Sequence, residues 1–185
     1  RVDQVDFDLL SKMYDAGCWR IGFGIEAGTQ EVLDWYGKKI TLEKSREAIR
    51  LCKKVGISPM CYFIIGAPFE TEDMILKTVE FAKELDVDVV GFSFLVPFPG
   101  SPLYDYSMKN NLLLEHNLEK FGQDIPIIKM QNMTSEKLSE LSKRAYRNYY
   151  FRPKFILKNS LKMIRHPAAA VSGFKTILNW IRKGE

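Results

Sequence analysis

The 185-residue chain is poor in the residues that most often build covalent or metal-bound scaffolds: it has 3 cysteines and 2 histidines. Three cysteines are too few for a disulfide-stapled secreted domain. Cys18, Cys52 and Cys61 are also too widely and unevenly spaced for a zinc or iron–sulfur ligand set, so buried structural thiols are expected. His116 and His166 stand alone, and no Ser/His/Asp or Cys/His set is apparent. No apolar run approaches the roughly 18 residues of a membrane-spanning helix. No N-terminal stretch joins a basic flank, an apolar core and a small-residue cleavage site. The glycines form neither Gly-x-x-x-x-Gly-Lys-Ser/Thr nor Gly-x-Gly-x-x-Gly, which excludes the common phosphate-cradling loops. Disorder is excluded by the 46% hydrophobic content. These features point to a soluble, cytoplasmic chain able to bury a real core.

Acidic residues are scarce toward the C-terminus. Residues 1–110 hold 13 Lys/Arg and 17 Asp/Glu, residues 111–185 hold 14 and 6, and within residues 141–185 the counts are 11 and 1. The charge divides the chain into an acidic part, 1–110, and a basic helical extension, 111–185. The extension interleaves its cations with aromatics such as Tyr146, Tyr149, Tyr150, Phe151 and Trp180. Three readings follow: apolar stripes that pack on the first part, a helix lying on a membrane surface, or nucleic-acid contact. The last is the least favoured.

The acidic part alternates between helical and strand periods. Asp6 caps a helix whose apolar face includes Leu9, Leu10, Met13 and Tyr14, and Gly17 ends it. Trp19–Ile25 reads as a strand, with Ile21, Phe23 and Ile25 on one face and Gly22 and Gly24 on the other. A short helix spans about 30–36. Thr41 and Gly56 bound the next helix. The continuous apolar run 57–65 reads as a strand buried on both faces. Thr71 caps another helix, with Glu72 and Asp73 suited to its N-terminal dipole. Residues 87–96 form a third strand. Later, Ser101 and Thr134 start helices, and two more are expected near 153–165 and 167–182. Strands separated by helices imply an α/β fold with a parallel sheet, either part of a β/α barrel or a doubly wound open sheet.

The suggestive loops follow the three strands: Gly24–Gly28, Gly66-Ala67-Pro68-Phe69-Glu70-Thr71, and Val96-Pro97-Phe98-Pro99-Gly100-Ser101-Pro102. In α/β folds this is the face that builds sites. From the residues alone the inference stops at a ligand held at the strand ends.

Four stretches taken together resemble a known family. They are Asp15–Gly28, Leu33–Thr41, Gly56–Thr71 and Pro97–Tyr104. In this order and spacing they resemble the radical S-adenosylmethionine (SAM) superfamily, most of all the branch whose members carry an N-terminal cobalamin-binding domain. The resemblance implies the C-terminal half of a partial (β/α)₆ barrel, strands four to six, followed by the basic α-helical tail. It implies SAM lying across the strand ends beside a [4Fe-4S] cluster, with cobalamin as a further cofactor of the branch. The enzyme class it implies uses the reduced cluster to cleave SAM to methionine and a 5′-deoxyadenosyl radical.

The Cys-x-x-x-Cys-x-x-Cys loop that holds such a cluster does not occur in these residues. The expectation is therefore a fragment of a radical SAM iron–sulfur enzyme, inactive alone and binding no cofactor tightly. Its first partner would be the N-terminal half of the same polypeptide, and either self-association or the basic tail would cover an open sheet edge.

The resemblance also assigns cofactor-binding roles. Glu26 would face the SAM ammonium or ribose, and Lys38, with Lys39 as fallback, its carboxylate. Ile64 and Gly66 would pack on adenine, and the backbone at Val96 and Pro97 would meet the adenine edge. No catalytic and no metal-ligating residue is assigned, and the substrate is unread. The competing reading is a non-catalytic α/β module that docks through its basic tail.

Overall fold

A computed structural model describes residues 1–165, with side-chain surroundings to residue 160. Three parallel strands form one sheet in the order β1 (Arg20–Glu26), β2 (Ser58–Ile65), β3 (Val89–Phe94). The helices are α1 (Phe7–Asp15), α2 (Gln30–Trp35), α3 (Leu42–Val55), α4 (Glu72–Leu85), α5 (Pro102–Lys109), α6 (Ser135–Tyr150) and α7 (Pro153–Arg165). The helix starts fall where the sequence places them. Asp6, Thr41, Thr71, Ser101 and Thr134 each accept a hydrogen bond from the backbone N–H three residues on. Gly17 and Gly56 end α1 and α3 with positive φ. The helix expected near 167–182 lies outside the described residues.

The strand register sorts the sheet into two faces. On one, Phe23 aligns with Cys61 and Val90, and Phe63 stacks on Phe92 at 5.5 Å. These residues are buried with Ala48, Ile49 and Cys52 of α3 and Val79 and Ala82 of α4. The other face carries Gly22, Gly24, Met60, Tyr62 and Gly91, again in register.

Two expectations are corrected here. β2 is not buried on both faces: its burial alternates, with Met60 and Ile64 half-buried and Tyr62 exposed. The apolar run reflects an open face that is itself apolar. Leu9 and Tyr14 of α1 are exposed, so only Leu10 of that helix is fully buried.

β3 is an edge strand, and an edge leaves a row of N–H and C=O groups unpaired. Here α6 covers it. The Tyr150 hydroxyl accepts from Val90 N–H at 2.9 Å and donates to Val90 C=O at 2.7 Å. The Tyr146 hydroxyl does the same at Phe92, both at 2.9 Å. Phe94 N–H is taken by the Gln123 carbonyl at 3.1 Å, and Tyr149 donates to Val87 C=O at 2.6 Å. The match is geometric. Four residues of helix rise about 6 Å, and two residues of strand rise about 6.6 Å. Tyrosines at i and i+4 therefore meet strand residues at j and j+2. Burial pushes these phenols up, Tyr146 to about 12, so they stay protonated donors at neutral pH. Leu138 and Leu141 of α6 then pack with Ile65, Ile75 and Phe94.

Tyr150→Phe keeps the ring and removes the hydroxyl, leaving the Val90 N–H and C=O buried without partners. A loss of about 2 kcal/mol is expected in urea unfolding, from orphaned buried groups worth about 1–3 kcal/mol each. Amide exchange at Val90 should accelerate in parallel. Unchanged stability and exchange would show that water replaces the hydroxyl at no cost.

Candidate functional site at the carboxyl ends of the strands

Glu26 ends β1 with φ 71, and the pairing register slips between Gly24 and Glu26. An extra residue in one strand is a bulge, which re-aims the side chain that follows it. A left-handed conformation at a non-glycine residue is uncommon and needs surrounding structure to hold it. The Glu26 carboxylate folds back over Gly24, where a Cβ would collide with Oε1. Gly24 is thus required by the position of Glu26. The carboxylate is 7% exposed.

Lys38 closes on it, with Nζ 2.7 Å from Glu26 Oε1. The intervening chain doubles back because α2 stops at Trp35 and two further left-handed residues follow, Gly37 (φ 66) and Lys39 (φ 51). The Arg1 guanidinium donates to the Lys38 carbonyl at 3.0 Å. Lys39 itself is exposed. The structure thus brings together two residues 12 positions apart in the sequence. A carboxylate and an ammonium side by side are the charge complement of a zwitterionic α-amino acid.

The end of β2 is organised by a residue to which the sequence assigns no role. Glu70 is fully buried, and its Oε2 accepts from Gly66 N–H at 2.7 Å and Ala67 N–H at 3.1 Å. Desolvation raises its pKa to about 7, against the opposing pull of those two donors. Glu70 Oε1 and the Tyr36 hydroxyl are both buried without a hydrogen-bond partner among the described residues. The Tyr36 phenol is pushed well up by burial, and further by the charges of Glu70 and Glu26. Tyr36 is thus near enough to both carboxylates to feel their charge. The sequence signal for Glu70 was a carboxylate four residues after a turn glycine, a spacing that lets a side chain cap its own turn.

The remaining assigned residues lie nearby. Ile64 is half-buried and packs against Ala67 and Leu95. Gly66 has φ 98, and Leu138 of α6 fills the space its side chain would take. Leu95 N–H donates to Ile65 C=O at 2.9 Å, which holds the ends of β2 and β3 together just before Val96 (half-buried) and Pro97 (buried). Phe69 turns its ring onto Trp35 at 5.5 Å, forming an aromatic rim with Tyr36.

Cys52 and Cys61 are core residues, and Cys18 is half-buried beside them. Burial raises Cys52 to about 11 and Cys61 to about 12, far from a thiolate ligand at neutral pH. Among the described residues no group of three or more His, Cys, Asp or Glu could hold a metal ion. No described helix is long and apolar enough to cross a membrane.

A parallel sheet with helices on one face and polar groups gathered at its strand ends is the architecture of a partial β/α barrel, a class of fold whose sites lie in general at the carboxyl ends of the strands. The model of the radical SAM superfamily matches residues 2–82, and that part of the chain belongs to the superfamily. It is 38% identical over 159 residues to an uncharacterized methyltransferase, PH0819, of Pyrococcus horikoshii, covering 86% of this chain and 35% of that protein. It is 29% identical to the anaerobic magnesium-protoporphyrin IX monomethyl ester cyclase of Cereibacter sphaeroides, over 80% of this chain and 24% of that one. The chain thus spans about a third or less of these relatives.

Its fold is shared with the radical SAM methyltransferase TsrM of Kitasatospora setae, solved with cobalamin and a [4Fe-4S] cluster. There the TM-score is 0.55 at 24% identity, over 72% of this chain and 27% of TsrM. Coproporphyrinogen III oxidase of Escherichia coli gives a TM-score of 0.58 at 16% identity, over 81% and 30%.

Glu70 makes a pH prediction. Its folded pKa lies above the ordinary 4.5, so the folded chain holds the proton more tightly than the unfolded one. Its contribution is fully present below about 4.5 and is lost as pH rises through about 7. Glu70→Gln keeps an acceptor for the two N–H groups and should flatten the fall in urea stability across that window. Glu70→Ala, which orphans both donors, should cost about 3 kcal/mol. A parallel pH slope in Glu70→Gln would overturn the assignment.

Proposed function

We propose that this chain is the SAM-contacting portion of a longer radical SAM enzyme, and that the Glu26–Lys38 pair receives the amino-acid end of SAM. The observation that carries the reading is that ion pair, set by a bulge at the carboxyl end of a barrel-type strand. SAM presents an ammonium and a carboxylate on one carbon. Inserted at the pair, its ammonium meets Glu26 and its carboxylate meets Lys38, so each protein charge exchanges one opposite partner for another. Glu26 is already desolvated, so this contact adds little further desolvation cost to it. Ile64, with Val96 and Pro97 on the adjoining strand end, offers an apolar and backbone surface for the adenine. Glu70 holds the Gly66–Ala67 turn that frames it.

When bound, SAM supplies an activated sulfonium whose bonds to carbon can be broken reductively. The names of the methyltransferase relatives support methyl transfer as the class of outcome. The residues described do not fit a [4Fe-4S] cluster: Cys52 and Cys61 are buried with raised pKa values, and no three metal-ligating side chains are grouped among the described residues. The cluster and cobalamin that TsrM binds are supported for the longer protein by relationship alone, and no residue here is assigned to either. The substrate is left open, and membership of an enzyme superfamily weighs against the non-catalytic module.

SAM titration by calorimetry on the longer protein tests the pair. Glu26→Ala and Lys38→Ala should each weaken SAM by about 10- to 100-fold, the range for a charged hydrogen bond. Gly24→Ala should weaken it less, by displacing the Glu26 carboxylate. Wild-type affinity in all three would remove the pair from the SAM site.

A further inference from the structure

The basic arm presents to solvent a surface that the SAM reading does not use. Residues 141–160 contain six Lys/Arg and no Asp/Glu. On α6 the buried side is Leu138, Leu141, Ala145, Tyr149 and Tyr150, which leaves Lys143 and Arg147 exposed one turn apart. Neither makes an ion pair among the described residues. One turn further along the same line is Phe151, 59% exposed. α7 then begins with inverted sidedness. Phe155 is buried against Tyr149 and Tyr150, while Ile156 (48% exposed) and Leu157 (65%) face outward with Lys154 beside them. Among the described residues Phe155 has apolar partners, whereas Phe151, Ile156 and Leu157 remain exposed.

We infer that the α6–α7 corner docks on an anionic lipid surface, inserting Phe151, Ile156 and Leu157 while Lys143 and Arg147 contact the headgroups. Charge complementarity fixes the partner's sign: Arg152, Lys154 and Lys158 share Asp86 and Asp88 as ion-pair partners, three cations on two carboxylates, and Lys143 and Arg147 add charge that no described carboxylate meets. The aliphatic pair favours lipid over nucleic acid: bases stack on aromatics and guanidinium planes, whereas Ile156 and Leu157 offer no face for stacking. An apolar tip ringed by Lys and Arg is the arrangement that binds reversibly at a membrane interface. Each basic residue near an anionic leaflet adds to the attraction, and salt weakens it.

Co-sedimentation of the 185-residue chain with vesicles tests this, using phosphatidylcholine alone against phosphatidylcholine with about a third phosphatidylserine, an anionic content that creates a negative surface potential. Binding only to the anionic vesicles, weakened by salt, is expected. The double substitution Ile156→Ser and Leu157→Ser should reduce it by about tenfold, since reversible anchoring scales with the apolar groups buried. Arg147→Glu should reduce it through charge alone. All three positions are exposed, and far-UV circular dichroism verifies that each variant folds. No binding, equal binding to both vesicle types, or binding insensitive to the apolar pair would each overturn the proposal. So would tight binding to a single-stranded RNA oligomer that displaces the vesicles and survives the loss of Ile156 and Leu157.

Discussion

A strand at the margin of a buried parallel sheet cannot leave its backbone polar groups unsatisfied, and in this molecule two phenol hydroxyls meet that demand. Each Tyr hydroxyl both accepts and donates, so Tyr146 and Tyr150 complete both backbone groups of Phe92 and Val90. The consequence spreads outward from the edge. Fixing the tyrosines fixes the height and rotation of α6. That places Leu138 in the space beside Gly66. The turn after β2 is thereby pressed from one side by a leucine and tied from the other by Glu70. The strand-end site therefore rests on the basic extension as well as on the sheet, although the two differ in charge.

At the site itself, backbone strain and electrostatics are coupled. Glu26 occupies a conformation that an L residue adopts at a cost. What holds it there is the bulge, the empty space over Gly24 and the Lys38 ammonium. Similar reasoning applies to Glu70, whose burial is compensated on one oxygen only. The buried Tyr36 phenol feels the charge of both carboxylates and bonds to neither among the described residues.

Much of the scaffold was legible in the sequence because it is encoded locally. Asp6, Thr41, Thr71, Ser101 and Thr134 announce helix starts through one short-range hydrogen bond each, and glycine stops need only a φ above zero. The alternation of Phe23 and Ile25 with Gly22 and Gly24 reported both the strand and its two faces. What escaped is nonlocal or depends on unusual backbone. The approach of Lys38 to Glu26 requires left-handed geometry at Glu26, Gly37 and Lys39, and two of these three are not glycines. The role of Tyr146 and Tyr150 requires knowing which strand lies at the edge. β2 looked buried on both faces because Met60, Tyr62 and Ile64 are apolar, and hydropathy does not distinguish a face that packs on helices from one that is open.

The tyrosine cover has a directional consequence. A sheet normally offers two templates for further strands, one at each margin. Here the outward groups of Val90 and Phe92 in β3 are occupied by hydroxyls, and a hydroxyl, unlike a strand, presents no new row of donors and acceptors beyond itself. β1 is the other terminal strand of the sheet. Strand addition is therefore polar: it can proceed past β1 and is terminated at β3. Any extension of this sheet, within one chain or between chains, acquires a fixed order and stops at one end without needing a closed ring.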